Sequence, residues 1–282
     1  MVIKFALFLT AILAGGHALP KPYVERDMSM FFEHVNPEAR IVGGHAAPNG
    51  AHPHMGALTN GANVRSYLCG SSILSRRTIL TAAHCIVAVL NGNTLSSSFR
   101  VTVGTNRWNS GGVMHAFQRH FIHPNYNSAL ITNDLGMLHT STNINFNNLV
   151  RAININYDFV GERVNVRVAG WGRIRAGGAI STNLLQLNTA TIDGNRCVQN
   201  VRTVAANLGI WAPPVIPSIE ICTFHSRNHG TCNGDSGSPL VRTDRGQQIG
   251  VVSWGLPCAL GAPDVYVRLS AFRGWVQGNT LT

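Results

Sequence analysis

From about residue 41 onward the chain consists of short β-rich runs, broken every few residues by Gly, Asn, Ser or Pro. Ser72-Ile73-Leu74, Phe99-Arg100-Val101-Thr102-Val103, Arg163-Val164-Asn165-Val166-Arg167-Val168 and Ile249-Gly250-Val251-Val252 are examples. β-Branched side chains fit the pleated surface of a strand, and the breakers supply turns. Short strands at regular spacing point to a sandwich or barrel rather than a parallel α/β sheet, whose strands need long crossovers between them. Leu269, Phe272 and Val276 recur at helical spacing with Trp275 beside them, so residues 269–280 read as a terminal helix docked on the body. Spacing alone supports a compact all-β body, and no internal repeat or low-complexity segment is visible.

Composition divides the 282 residues into three sections. Lys4, an apolar run from Phe5 to Leu13 and the small residues Gly15, Gly16 and Ala18 make 1–18 a signal peptide. Residues 19–40 carry mixed charge, Pro20, Pro22 and Pro37, and no cysteine. Residues 41–282 are the folded body. No later run reaches the roughly 18 apolar residues of a membrane helix, so a secreted, extracellular protein with no membrane partner is expected. All six cysteines lie beyond residue 68, which fits an oxidising compartment and three bridges. Six half-cystines allow fifteen connectivities, and spacing does not choose among them. A zinc site is disfavoured because no two cysteines stand two to four residues apart.

The formal charge is +10. Residues 1–40 cancel, whereas the body carries 18 Arg, 8 acidic residues and no lysine. A basic chain raises the question of nucleic acid, but these arginines stand singly or in pairs such as Arg76-Arg77, and a solvated surface is expected instead. Arginine holds its charge beyond about pH 12.5 and lysine only to about 10.4. An Arg-only surface therefore suits an alkaline fluid, the other explanation being codon or lineage bias.

Two segments carry the chemistry. Thr81-Ala82-Ala83-His84-Cys85 offers an imidazole beside a cysteine, and Gly234-Asp235-Ser236-Gly237-Ser238-Pro239 offers a serine hydroxyl in a glycine-flanked turn. A serine hydroxyl is a poor nucleophile at neutral pH and needs a base, which in turn needs an orienting group. Asp134, in Asn133-Asp134-Leu135-Gly136-Met137-Leu138, is the carboxylate between them that adjoins an apolar run. A lone histidine or a Gly-x-Ser is unremarkable; the combination and its order are specific. An α/β-hydrolase would need glycine two residues after the serine and the order Ser, Asp, His.

This order resembles the chymotrypsin-like serine proteases, over nearly all of 41–282. The resemblance implies an all-β fold of two six-stranded antiparallel β-barrels, about 41–155 and 156–270, with a C-terminal helix and the cleft between the barrels. It implies the bridges Cys69–Cys85, Cys197–Cys222 and Cys232–Cys258. It implies His84, Asp134 and Ser236 as catalytic groups, with the N–H groups of Gly234 and Ser236 as the oxyanion hole. Ala39-Arg40-Ile41-Val42-Gly43-Gly44 resembles the family's activation junction: a cut after Arg40 would free an ammonium on Ile41 to pair with Asp235. Tyr67 stands where some members carry a histidine that holds this aspartate in the precursor, so that lock does not carry over. Ser238 stands where glycine is usual.

The same resemblance places Gly230 at the base of the specificity pocket, with Asn233 at its edge. Ser253-Trp254-Gly255 is similar to the segment that pairs with extended substrate, and Asp264 lines the pocket where glycine is common. Gly230 with Asp264 resembles the arthropod collagenolytic (brachyurin-type) digestive proteases, which implies Phe, Tyr and Leu preference with broader secondary specificity. Asp264 turned away or paired locally would instead leave a plain chymotrypsin-like preference. The family's calcium loop needs acidic ligands between His84 and Asp134, and that interval has none; no metal and no cofactor are expected. Expected partners are protein or peptide substrates, a trypsin-like activating protease and protein protease inhibitors, with no nucleic acid and a monomeric state. The competing readings are an inactive protease-shaped binding protein and a regulatory cascade protease. The triad residues are all present, and 19–40 is too short and cysteine-free for a regulatory module.

Overall fold

The computed structural model describes residues 43–61, 64–173, 179–256 and 260–281. Six strands form a closed antiparallel barrel: β1 Met55–Asn60, β2 Ser66–Ile73, β3 Thr78–Thr81, β4 Arg100–Val103, β5 Val113–Ile122 and β6 Gly136–Thr140. Their order around the barrel is β1-β2-β3-β6-β5-β4, with β4 returning to β1. Six more strands follow: β7 Asn165–Gly170, β8 Leu185–Ile192, β9 Glu220–Thr223, β10 Pro239–Arg242, β11 Gln248–Gly255 and β12 Asp264–Arg268. These run β7-β8-β9-β12-β11-β10, with β10 returning to β7 and with β8 joined to β9 through the Thr191–Thr223 and Ile192–Cys222 pairs. The two barrels therefore share one strand order, although no sequence repeat announces it. A short strand, His45–Ala46, adds to the edge of β8.

Each expected strand run lies in or against a strand of a barrel. The first barrel is filled by Leu58, Ile73, Ile79, Leu80, Phe99, Val101 and Met137, and the second by Val166, Val168, Leu187, Leu240, Ile249 and Tyr266. Closure removes the unpaired edges that would otherwise template aggregation.

The terminal helix is present, as a 3-10 turn at Leu269–Phe272 followed by α3, Arg273–Asn279. Leu269, Phe272 and Val276 are buried as the spacing requires. Although it follows the second barrel, α3 straps onto the first. His139 of β6 bonds the Asn279 carbonyl at 2.7 Å, and Leu281 N–H donates to the Thr78 hydroxyl at 3.0 Å.

One element goes beyond the sequence reading. The helix α2, Gly194–Leu208, is capped by the Asp193 side chain, which accepts the Arg196 N–H, and ends at Gly209 with φ 66°. Its buried face is Cys197, Val201 and Ala205, at four-residue spacing. The bridges Cys69–Cys85 and Cys197–Cys222 are both formed. Cys258, and with it the third implied bridge, lies outside the described residues, as do Arg40 and Ile41. No described helix is long and apolar enough to cross a membrane.

Candidate active site

At the end of β3 the chain turns into α1, Ala83–Val87, which carries His84, and the Cys69–Cys85 bridge ties that turn back to β2. Asp134 lies in the loop just before β6 and is fully buried. A buried carboxylate needs several donors to offset its lost hydration, and this one has three. His84 N–H reaches Oδ1 at 2.9 Å, the His84 ring reaches Oδ2 through Nδ1 at 2.7 Å, and the Ser253 hydroxyl donates to Oδ2 at 2.6 Å. With the carboxylate on Nδ1, the ring has one orientation and one tautomer, and Nε2 is the nitrogen not committed to Asp134. Nε2 lies 3.6 Å from the Cys85 sulfur. Cys69, His84 and Cys85 bring metal-ligand atom types together, but both sulfurs are committed to the disulfide.

The serine turn is carried from the second barrel onto the first. The Ser236 carbonyl accepts the Gly70 N–H at 2.8 Å, and Gly237 N–H donates to Val252 O at 2.8 Å. Gly237 has φ 80°, and a Cβ there would lie 2.2 Å from Thr81 Oγ1 and 2.4 Å from Gly70 O. Only glycine lets the turn approach β2 and β3 this closely. Ser236 is thereby anchored between Gly70, next to the bridged Cys69, and Thr81, three residues before His84.

The backbone of the turn is aimed. Asn233 O accepts the Arg173 N–H at 2.6 Å, and Asp235 O accepts the Ser238 N–H at 3.0 Å. In a trans peptide the N–H points opposite to its carbonyl, so the Gly234 and Ser236 N–H groups face away from those partners. Gly234 has φ 90°, and its carbonyl is held by the Tyr67 hydroxyl at 2.7 Å. Tyr67, at the position where a precursor histidine was considered, thus bonds a backbone carbonyl.

Asp235 is fully buried and accepts N–H bonds from Gly172 at 2.9 Å and Cys232 at 3.0 Å. Gly170 and Gly172 make room for it, since a Cβ on either would come within 2.5 Å of the carboxylate. Burial pushes its carboxyl up to about 7, against the pull of the two N–H donors and with a further push from Asp264.

The Asp264 carboxylate fills the space beside Gly230, where a Cβ would stand 3.0 Å from Oδ2. The carboxylate is captured locally: Thr231 N–H donates to Oδ2 at 3.0 Å and the Thr231 hydroxyl to Oδ1 at 2.9 Å. Burial raises it to about 7, opposed by both Thr231 bonds. Gly255 faces Asp264 across the β11–β12 ladder. The ladder from β11 to β10 runs from Gln248 to Val251, whereas that to β12 continues to Gly255. Ser253, Trp254 and Gly255 therefore extend beyond β10, with Ser253 reaching Asp134 before β6.

A buried carboxylate the sequence did not reveal is Glu220, at the start of β9, behind Trp254. It is 3% exposed, with its carboxylate oxygens on Ile216 N–H at 2.6 Å and Trp254 Nε1–H at 3.2 Å. The only signal was a charged residue two positions before a cysteine in an apolar run.

An imidazole held on a buried carboxylate, with a glycine-flanked serine turn bonded to β2 at Gly70, supplies the groups that a serine-dependent peptide hydrolase requires. Comparison with known proteins bears on the same point. A family profile described as "Trypsin" matches residues 41–276. The chain is 35% identical to "Chymotrypsin-2" of Vespa crabro, over 86% of this chain and 100% of that protein. It is 36% identical to "Trypsin, alkaline B" of Manduca sexta, over 87% and 93% respectively. With "Trypsin alpha-4" of Lucilia cuprina it shares 31% identity over 98% and 97%. The chain belongs to the trypsin family and is a serine endopeptidase.

Proposed function

We propose a secreted digestive endopeptidase, made as a precursor and activated by cleavage after Arg40, that works through an acyl-enzyme. The supporting observation is the clamp of His84 on buried Asp134 through both its backbone N–H and Nδ1. In this reading His84 takes the Ser236 proton during attack on the scissile carbonyl and returns it to the leaving amine. Asp134 stabilises the imidazolium. The Gly234 and Ser236 N–H groups bind the oxyanion, and water releases the acyl group. Ile41, freed by the cut, pairs with Asp235 and fixes the turn.

The pocket, with Gly230 at its base and Asn233 at its edge, takes Phe, Tyr and Leu. Thr231 takes one lone pair on each Asp264 oxygen and leaves others available on the ionised carboxylate, so Asp264 adds secondary acceptance of Arg, as in the collagenolytic type. Because Asp264 ionises only near 7, Arg cleavage relative to Phe cleavage should rise with pH through neutrality. An alkaline setting suits this pocket and the Arg-only body, and a relative's name carries the same word. The enzyme acts as a monomer on protein or peptide substrates and is a target for protein protease inhibitors.

The test is a cleavage profile on a peptide library after trypsin treatment, with labelling by a serine-directed phosphonate. The native enzyme should be labelled and cut after Phe, Tyr and Leu. Ser236→Ala should lose both, and Asp264→Gly should lose Arg cleavage alone. Absence of labelling in processed protein would favour the inactive binding homologue. Arg cleavage unchanged in Asp264→Gly would remove the pocket assignment.

A further inference from the structure

Glu220 is a buried carboxylate that the catalytic reading leaves without a task. Burying a carboxylate costs several kcal/mol before compensation, so its partners show what holds it. One oxygen takes the amide of Ile216, in the loop after α2; the other takes the indole of Trp254, on β11. Two donors meet two acceptor oxygens, a match that only the ionised acid makes.

Trp254 needs such a tether. The β11–β12 register shifts between Val252 and Trp254, leaving Ser253 as an extra residue opposite no partner. A bulge of this kind re-aims side chains and weakens the local ladder. Here it sends the Ser253 hydroxyl to Asp134 and the Trp254 indole inward to Glu220. Trp254 belongs to one buried cluster with Ile131, from the loop that also carries Asp134, and with Val215 and Leu256. Glu220 thus sits behind the one stretch of β11 that extends past β10.

We propose that Glu220 is a positioning residue for extended substrates: by holding the Trp254 indole and the Ile216 amide together, it fixes the strand Ser253–Gly255 against which residues beyond the pocket pair. The inference rests on the proposed substrate-pairing role of that strand. Strand addition along a free edge gives affinity through main-chain bonds, so its benefit grows with peptide length and is absent for a single-residue substrate. Burial raises the Glu220 carboxyl to about 7, with Asp134 adding to the push and the two donors opposing it. The other charge packed here is Arg268 of β12, whose guanidinium bonds Glu220's own carbonyl oxygen at 3.1 Å. The helix α2 presents Cys197, Val201 and Ala205 to the same cluster. Protonation turns one acceptor oxygen into a donor facing an N–H, so the tether loosens below about pH 7.

The experiment compares kcat/KM for a blocked tetrapeptide anilide and a single-residue ester, both with Phe at the cleaved bond, from pH 6 to 9.5. Their ratio cancels the pH dependence of the shared chemical step, which both substrates use. In the native enzyme the ratio should rise severalfold through about pH 7. In Glu220→Met it should be flat and about tenfold lower at pH 9, the loss of one charge-assisted hydrogen bond, with ester hydrolysis within about twofold of native. Glu220→Gln keeps the size but sets an amide N–H₂ against an N–H donor, so it should also flatten the ratio. It covers the case in which the Met variant fails to fold. Equal losses on both substrates, or an unchanged pH-dependent ratio in either variant, would overturn the proposal while leaving the catalytic reading intact. Failure of native enzyme on both substrates would overturn the two together.

Discussion

Single side chains at the barrel seam have little freedom, and Ser238 shows why. It is fully buried, and its hydroxyl has no hydrogen-bond partner among the described residues. A Cβ on Gly70 would lie 2.0 Å from its oxygen. Gly70→Ala should therefore destabilise the enzyme by ~1–3 kcal/mol, the usual cost of overpacking. Ser238→Gly should recover part of that loss, read as Tm in a double-mutant comparison. Equal destabilisation in both backgrounds would show that the two side chains do not collide. Legibility in the sequence followed the same local logic. His84 and Ser236 stand in motifs that announce themselves, and Asp134 could be found from the apolar run after it. Glu220 could not, because its meaning comes from Trp254, which the chain brings to it from the far side of a barrel. Asp264 drew attention only through the family resemblance, and its capture by Thr231 depends on the approach of a separate segment.

Among the elements, the strands were readable because β-branched runs between breakers carry their own signal, and α3 because its stripe is undiluted. The helix α2 hid for a physical reason: it buries only one narrow face of Cys197, Val201 and Ala205, and its polar remainder reads as loop. Its start nonetheless had a signature in Asp193, three residues before the amide it caps. Asp193→Ala should cost about 1 kcal/mol, visible as a lowered Tm with ester hydrolysis unchanged, because the Cys197–Cys222 bridge still holds the helix on β9. A fall in ester hydrolysis would show that α2 reaches the catalytic groups. The shared strand order of the two barrels was invisible, since closure depends on which strands meet rather than on any repeated residue.

For the whole molecule, the distribution of acids matters more than their number. Of the eight in the body, Asp134, Glu220, Asp235 and Asp264 all gather around the site, while the arginines are spread through the chain. With no ammonium beside it, Asp235 keeps its proton up to about pH 7, whereas the unfolded chain loses it near the ordinary 3.8. Between those values the folded precursor binds more protons, so this group's contribution to stability falls as pH rises. An Ile41 ammonium beside the carboxylate would cancel that fall. The Tm of processed Ser236→Ala protein minus that of its precursor should therefore grow from pH 4 to 7 and then level off, by scanning calorimetry. A constant difference would mean that the ammonium does not reach Asp235. The strap of α3 on the first barrel has a consequence in time as well as in space. During synthesis the chain emerges N-terminus first, so Thr78 and His139 leave the ribosome some 200 and 140 residues ahead of the groups that clasp them. The half that holds the imidazole therefore receives these two clasps only once the last helix has been made.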